Sequence, residues 1–264
     1  MPPNRHRKDT LLFYQQAVER AIAAMRNRLS EPLRLETLAK IAIESPYHFL
    51  RVFEEMTGIS PGRFLAALRI EKAKELLLRS ELRVTDICFE VGYNSLGTFT
   101  RIFTEFVGLS PKHLRRFARQ SRINLWQPES AVRIASANVS GQLGVTGQLN
   151  GPAGFTGAVF IGLFRTRIPQ GRPVAGTLLR RLGSYSFRNA PDGVYYQLAA
   201  AFPASLKPLD YLLPRQSSLL VASGSVPIRI VEGRTEQKMT LTLRRLYPTD
   251  PPILIALPLL LADR

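Results

Sequence analysis

Residues 49–61, Phe-Leu-Arg-Val-Phe-Glu-Glu-Met-Thr-Gly-Ile-Ser-Pro, recur as residues 99–111, Phe-Thr-Arg-Ile-Phe-Thr-Glu-Phe-Val-Gly-Leu-Ser-Pro. Seven of the thirteen positions are identical at an offset of 50, and the exchanges include Val/Ile, Met/Phe and Ile/Leu. Upstream the offset is 49, pairing Leu35, Leu38 and Ala39 with Val84, Ile87 and Cys88. One extra residue therefore sits in the second copy's connection, around Gly92 and Tyr93. A repeat that keeps its helical punctuation and shifts only in a turn predicts a duplicated helix–turn–helix unit.

The faces of the repeat agree. Phe49, Val52, Phe53 and Met56 fall at i, i+3, i+4 and i+7, as do Phe99, Ile102, Phe103 and Phe106, which predicts two amphipathic helices over 46–57 and 96–107. Tyr47, Leu50, Arg51 and Glu54 line the opposite face of the first, and Gly97, Thr100, Arg101 and Thr104 that of the second. Ser45 and Ser95 are the expected N-caps, leaving each first turn free to approach a phosphate or a base edge. Gly58 and Gly108 stand where a helix C-terminal glycine belongs, and each is followed by Ser-Pro, an N-cap and a first-turn proline. Further helices are expected over 10–29, 35–42, 61–79, 85–91 and 111–120. The connecting helix, Gly62–Arg79, would be about 27 Å long. Ala66, Ile70, Ala73 and Leu77 give it a packing face. Such a strut suits two reading helices spaced near one DNA turn, about 34 Å.

Charge and texture extend the reading. The net charge is +16 and the pI about 10.7, which favours a polyanionic partner, nucleic acid before an anionic membrane. Residues 1–122 and 123–264 each net +8, so basicity alone does not choose between the halves. Glycine and proline do distinguish them: 5 Gly and 6 Pro lie up to residue 122, and 13 of each beyond it. Short β-branched and aromatic runs at 157–164, 183–187, 193–200, 226–231 and 238–243, separated by Gly, Pro and Asp turns, predict strands of a small sandwich. The expected architecture is multidomain. An all-α duplicated helix–turn–helix DNA-binding domain over residues 10–120 leads through a linker, 121–143, to a small all-β sandwich over 144–264.

Several classes are disfavoured. The lone cysteine, Cys88, permits no intrachain disulfide and no thiolate metal cage, and it takes the small core position that Ala39 holds in the first copy. His6, His48 and His113 are too scattered for a metal site. No Ser/His/Asp grouping, paired acids or phosphate-binding glycine loop occurs in a supporting context, so neither enzyme activity nor a cofactor is expected. Residues 1–8 are basic without an apolar stretch behind them, unlike a signal peptide. The apolar run Ile253–Ala262 is broken by Pro258 and falls short of the roughly 20 residues that cross a bilayer. A cytoplasmic protein without membrane attachment is expected, with this segment packed on the sandwich or docked on the helical part. Lys112, Arg115, Arg116, Arg119 and Arg122 form an acid-free basic run, either a solvated face or a phosphate contact.

Gly92-Tyr93-Asn94-Ser95-Leu96-Gly97-Thr98-Phe99-Thr100-Arg101-Ile102-Phe103, continued by Gly108-Leu109-Ser110-Pro111 and closed by His113-Leu114-Arg115, resembles the signature of the AraC/XylS family of bacterial regulators. The resemblance covers about residues 12–117 and takes in the first unit from Leu38-Ala39 through Phe53 and Gly58. It implies a seven-helix, two-lobed DNA-binding domain acting as activator or repressor. It also implies base-reading or DNA-contacting roles for Tyr47, Leu50 and Arg51 in the first unit, and for Leu96, Gly97, Thr98, Thr100 and Arg101 in the second. Leu96 and Gly97 carry no side-chain hydrogen-bonding group, so the second helix would read through methyl contacts or close backbone approach; Leu50 suits a thymine methyl. Double-stranded DNA is the expected partner, with RNA polymerase a second. Gly147-Gln-Leu, Gly183-Ser-Tyr-Ser-Phe and Pro191-Asp-Gly-Val-Tyr-Tyr resemble carboxypeptidase regulatory-like, or transthyretin-like, β-sandwiches. There the expected role is regulation by a small-molecule effector, or oligomerisation.

Overall fold

Helical punctuation dominates the first 120 residues of the computed structural model, which describes residues 5–120, 144–188, 190–205 and 208–256. The helices are α1 (Arg5–Asn27), α2 (Leu35–Ala42), α3 (Pro46–Thr57), α4 (Pro61–Arg79), α5 (Val84–Glu90), α6 (Leu96–Val107) and α7 (Pro111–Gln120). Four begin with the same device, a serine whose Oγ accepts the backbone N–H three residues on. His48 donates to Ser45, Arg63 to Ser60, Thr98 to Ser95 and His113 to Ser110, at 3.3–3.4 Å. Gly58 (φ 78°) and Gly108 (φ 86°) close α3 and α6 in the left-handed conformation expected of them.

The turns preceding α3 and α6 are built alike. In the first, Ile43 N–H donates to Lys40 O and Glu44 N–H to Ala39 O; in the second, Gly92 N–H donates to Phe89 O and Tyr93 N–H to Cys88 O. Both are Schellman closures with a left-handed residue, Ile43 at φ 64° and Gly92 at φ 86°. The extra residue of the second copy thus lies after the left-handed position, where Tyr93-Asn94-Ser95 replaces Glu44-Ser45.

The chain divides into two compact units, Met1–Ile102 with Tyr247–Pro252 and Phe103–Leu246 with Ile253–Arg264, the division falling inside α6. In the first unit α1 contributes a stripe of Ala17, Val18, Ala21, Ile22 and Met25; Phe53 packs tilted on Phe49 at 5.4 Å and edge to face on Phe64 at 5.5 Å. Helix α4 buries more than one stripe: Phe64, Leu65, Ala67, Leu68, Ile70, Ala73 and Leu77 all lose solvent, as does Lys74. The expected single face was too narrow. Ala66 is only half-buried and Met56 of α3 likewise, because α4 packs on α1, α3 and α5 at once.

In the second unit the described residues form two sheets. The smaller has the order β4 (Gly183–Arg188), β1 (Gly144–Asn150), β8 (Met239–Thr242), with β1 and β8 parallel. The larger has the order β3 (Ala175–Leu179), β2 (Gly157–Phe164), β5 (Gly193–Pro203), β6 (Leu220–Ser223), β9 (Arg244–Arg245), and β7 (Ile228–Ile230) pairs with β5. Val145, Leu149, Phe187 and Leu241 of one sheet share a core with Val159, Ile161, Tyr195 and Ala201 of the other. Inside it the Gln197 amide donates to the Tyr185 hydroxyl. The expectation of an all-β second part is corrected by a short helix, α8 (Pro208–Leu212), whose Tyr211 and Leu212 are buried. Phe202 stacks between Tyr211 and Phe160, so all eight residues of β2 are buried and its sequence runs apolar without alternation. Strands β1, β3, β6 and β9 were not among those expected. The run near 253 is buried at Leu254, Ile255 and Ala256, and Ala256 N–H donates to Val107 O at the end of α6. Residues 121–143, expected as a linker, lie outside the described residues, as do those after Ala256.

Candidate nucleic-acid interface

On α3 the aromatic stripe turns inward and leaves a polar, cationic outer face. Phe49, Val52 and Phe53 are buried; Tyr47, two residues inside the N-terminus, is 83% exposed. Arg51 is exposed one turn on and Leu50 half-exposed between them. A local network orders this turn. Arg51 Nη2 is 3.4 Å from His48 Nδ1, His48 Nε2 is 3.8 Å from a Glu44 carboxylate oxygen, and the His48 ring stacks tilted on Tyr14 of α1. Arg51 is thus tied at the surface to His48, one turn back on its own helix. An exposed tyrosine and an exposed arginine stand on the first two turns of a helix capped by Ser45.

On α6 the corresponding face is smaller and smoother. Leu96, Gly97, Thr98 and Arg101 are exposed and Thr100 is half-buried, while Phe99 is fully buried. A Cβ added at Gly97 would meet only its own cap, Ser95 Oγ at 3.8 Å, so the first turn has open space over its bare backbone. The residues singled out in the sequence thus occupy the outer faces of α3 and α6. Each set carries an arginine at the sixth helical position and an N-terminal turn whose N–H groups are only partly satisfied.

Sequence reasoning passed over what sets the entry to α6. Tyr93 is buried against Phe99, ring centres 5.5 Å apart, and its ring carries the Arg69 guanidinium of α4 at 5.6 Å. Arg69 also donates through Nε to Leu29 O and through Nη2 to Glu31 O, both at 2.8 Å. Burial lowers the Arg69 pKa and pushes that of Tyr93 up to about 12. Lys74 is 2% exposed, and desolvation brings its ammonium down to about 7 against the weaker attraction of Glu71. Its place at i+4 from Ile70 and i−3 from Leu77 was the available signal. Cys88 is buried as expected; burial raises its thiol, which donates to Tyr93 O at 3.7 Å.

A separate polar groove of about 620 Å³ lies along the smaller sheet, lined by Thr146, Gln148, Ser184, Gln237, Lys238 and Thr240 among others. Among the described residues no helix is long and apolar enough to cross a membrane.

Residues 38–116, spanning both turns and both outer faces, match the family described as helix-turn-helix domain. This segment is a helix-turn-helix domain. Among its relatives, an uncharacterised HTH-type transcriptional regulator of Haemophilus influenzae is 36% identical over 96 residues, 36% of this chain and 32% of that protein. The MmsAB operon regulatory protein of Pseudomonas aeruginosa is 37% identical over 98 residues, 37% of this chain and 32% of that protein. An AraC-type regulator of known structure from Chromobacterium violaceum is 23% identical over 40% of this chain and 95% of that chain, with a TM-score of 0.39. The chain spans about a third of the length of the curated relatives it matches.

Proposed function

We propose that this chain is a sequence-specific transcription regulator that reads two successive major grooves of double-stranded DNA with α3 and α6. The observation that carries the reading is the paired construction of the two helices. Each is entered by the same Schellman turn, capped by a serine, buried through a phenylalanine stripe and left open on a face bearing an arginine. Tyr47, Leu50 and Arg51 are the base-contacting set of α3, and Leu96, Gly97, Thr98, Thr100 and Arg101 that of α6. Most protein–DNA hydrogen bonds go to the backbone, so the arginines carry sequence information only if they fork onto guanine O6 and N7.

The helical part over 10–120 is the reading domain in this proposal. The two sheets beyond it, which share one core, form a sandwich whose strand pattern suits the transthyretin-like resemblance. Regulation through an effector in the polar groove, and contact with RNA polymerase, belong to the same reading.

The test is selection of random duplexes by the full chain, followed by sequencing of the bound pool. Two enriched blocks about 10 bp apart are expected. Arg51→Ala should weaken preference in one block and Arg101→Ala in the other, by about 1–3 kcal/mol at the contacted base. A single block reduces α6 to a backbone grip, and an unselected pool removes the proposal.

A further inference from the structure

Of the chain's net +16, +11 lies in residues 106–188, which hold 12 Lys+Arg against one acid, Glu129. None of the residues assigned to base contact falls in that stretch, so most of the charge imbalance remains unaccounted for. Two described parts of it meet at one end of α6. Helix α7 follows directly, and exposes Lys112, Arg116 and Arg119 at i, i+4 and i+7, opposite the buried Leu114. The β2–β3 loop arrives from the sheet: Gly171 N–H donates to Phe106 O in the last turn of α6, and Val174 N–H, at the loop's far end, to Leu163 O. Its exposed cations are Arg165, Arg167 and Arg172.

The loop arginines are partly pre-ordered. The Arg165 guanidinium lies 6.0 Å from the centre of the Tyr195 ring and that of Arg167 5.8 Å from Tyr196, contacts that leave the edge donors of each fork available. The negative end of the α6 dipole favours cations here, but its effect fades within one turn, so it explains one or two, not six. Among the described residues no large apolar side chain is exposed between Leu96 and Val194, as an interfacial membrane site would require. A cationic surface without apolar flanks suits a regular array of phosphates.

We propose that Lys112, Arg116 and Arg119 of α7 and Arg165, Arg167 and Arg172 of the β2–β3 loop form a phosphate-gripping surface for duplex DNA, additional to the reading helices. The inference rests on the reading of the chain as a DNA-binding regulator and makes the β part a contributor to DNA affinity. Its test is the salt dependence of binding by the full chain to a selected duplex, for the wild type, Arg165→Gln/Arg167→Gln, Arg165→Lys/Arg167→Lys and Lys112→Gln/Arg116→Gln. Each Gln pair should lower the slope of log affinity against log salt by about 2, at ~0.9 per phosphate contact, with base preference unchanged. The Lys pair should keep the wild-type slope, which separates loss of charge from loss of fold. Wild-type slopes in both Gln pairs, with sequence selection intact, overturn the surface and leave the regulator reading standing. A lowered slope in a chain that selects no sequence upholds the surface and removes that reading instead.

Discussion

The Arg69 guanidinium sits 5.6 Å from the centre of the Tyr93 ring while its Nε and Nη2 hold the carbonyls of Leu29 and Glu31. One side chain on α4 thus ties the loop after α1 to the turn that launches α6. Charged hydrogen bonds of this kind are worth about 1.5–3 kcal/mol each when removal strands their partners. Arg69→Ala should cost about 2–4 kcal/mol in denaturant unfolding of the full chain, and Arg69→Lys should recover only part, because an ammonium cannot fork. Tyr93→Phe is a contrast. The Tyr93 hydroxyl is buried and meets no hydrogen-bond partner among the described residues, so its removal should be neutral or stabilising by up to about 1 kcal/mol. A large loss in Tyr93→Phe would show that the hydroxyl has a partner.

The two left-handed turn residues should respond in opposite directions. Ile43 adopts φ 64° with a β-branched side chain that is exposed, so its strain, about 1–2 kcal/mol, is not offset by burial. Ile43→Gly should stabilise by about 0.5–1 kcal/mol after the added unfolded-state freedom is counted. Gly92, at the equivalent place, has no room: a Cβ would stand 2.8 Å from Ser30 Cα and 2.9 Å from Leu29 O. Gly92→Ala should lose about 2–4 kcal/mol from strain and overpacking together. Thermal melting of both variants checks the pair.

Lys74 should give stability a specific pH dependence. Its folded pKa of about 7 lies below the unfolded value, so between about 7 and 10.5 the unfolded chain binds more protons. Stability must then rise with pH across that window. The cost of the buried charge is fully present below it and gone above it. Lys74→Met should stabilise by about 1–4 kcal/mol at neutral pH and below, and the gain should shrink as pH rises. Unfolding midpoints of wild type and variant at about pH 6 and pH 9.5 measure it. A gain that stays constant with pH would mean that Lys74 is already neutral or already solvated.

In the sheets, Gln197 donates to the Tyr185 hydroxyl in the shared core, and burial raises the Tyr185 pKa. Tyr185→Phe should cost about 1–3 kcal/mol by stranding a buried amide, whereas Tyr185→Phe combined with Gln197→Leu should recover most of it. Equal losses in the single and double variants would show that the pair contributes nothing by hydrogen bonding.

The helical part was legible because its signals are local. Serine caps, first-turn prolines and C-terminal glycines act within four residues, and the bounds of α3, α4, α6 and α7 coincide with those read from them. The outer faces followed from the same periodicity, which placed Tyr47 and Arg51 opposite Phe49 and Phe53. Ile43 escaped because a left-handed conformation is read from glycine, and here the turn imposes it on a residue that disfavours it. Strands β3, β6 and β9 escaped because a two- to five-residue strand is defined by its neighbours more than by its own pattern.

By itself the sequence determined the bounds of α2, α3, α4, α6 and α7, though not those of α1 and α5, together with the repeated turn and the outer faces of α3 and α6, since each depends on interactions within one or two turns of chain. The tertiary structure alone decided which polar groups are desolvated and what they meet. Lys74 lost its water because α4 is packed from several sides, Arg69 found carbonyls 38 and 40 residues away, and Gly171 met Phe106 across 65 residues of chain. Those distances in sequence carry no periodicity, so only the packed chain could bring the groups together and set their charge.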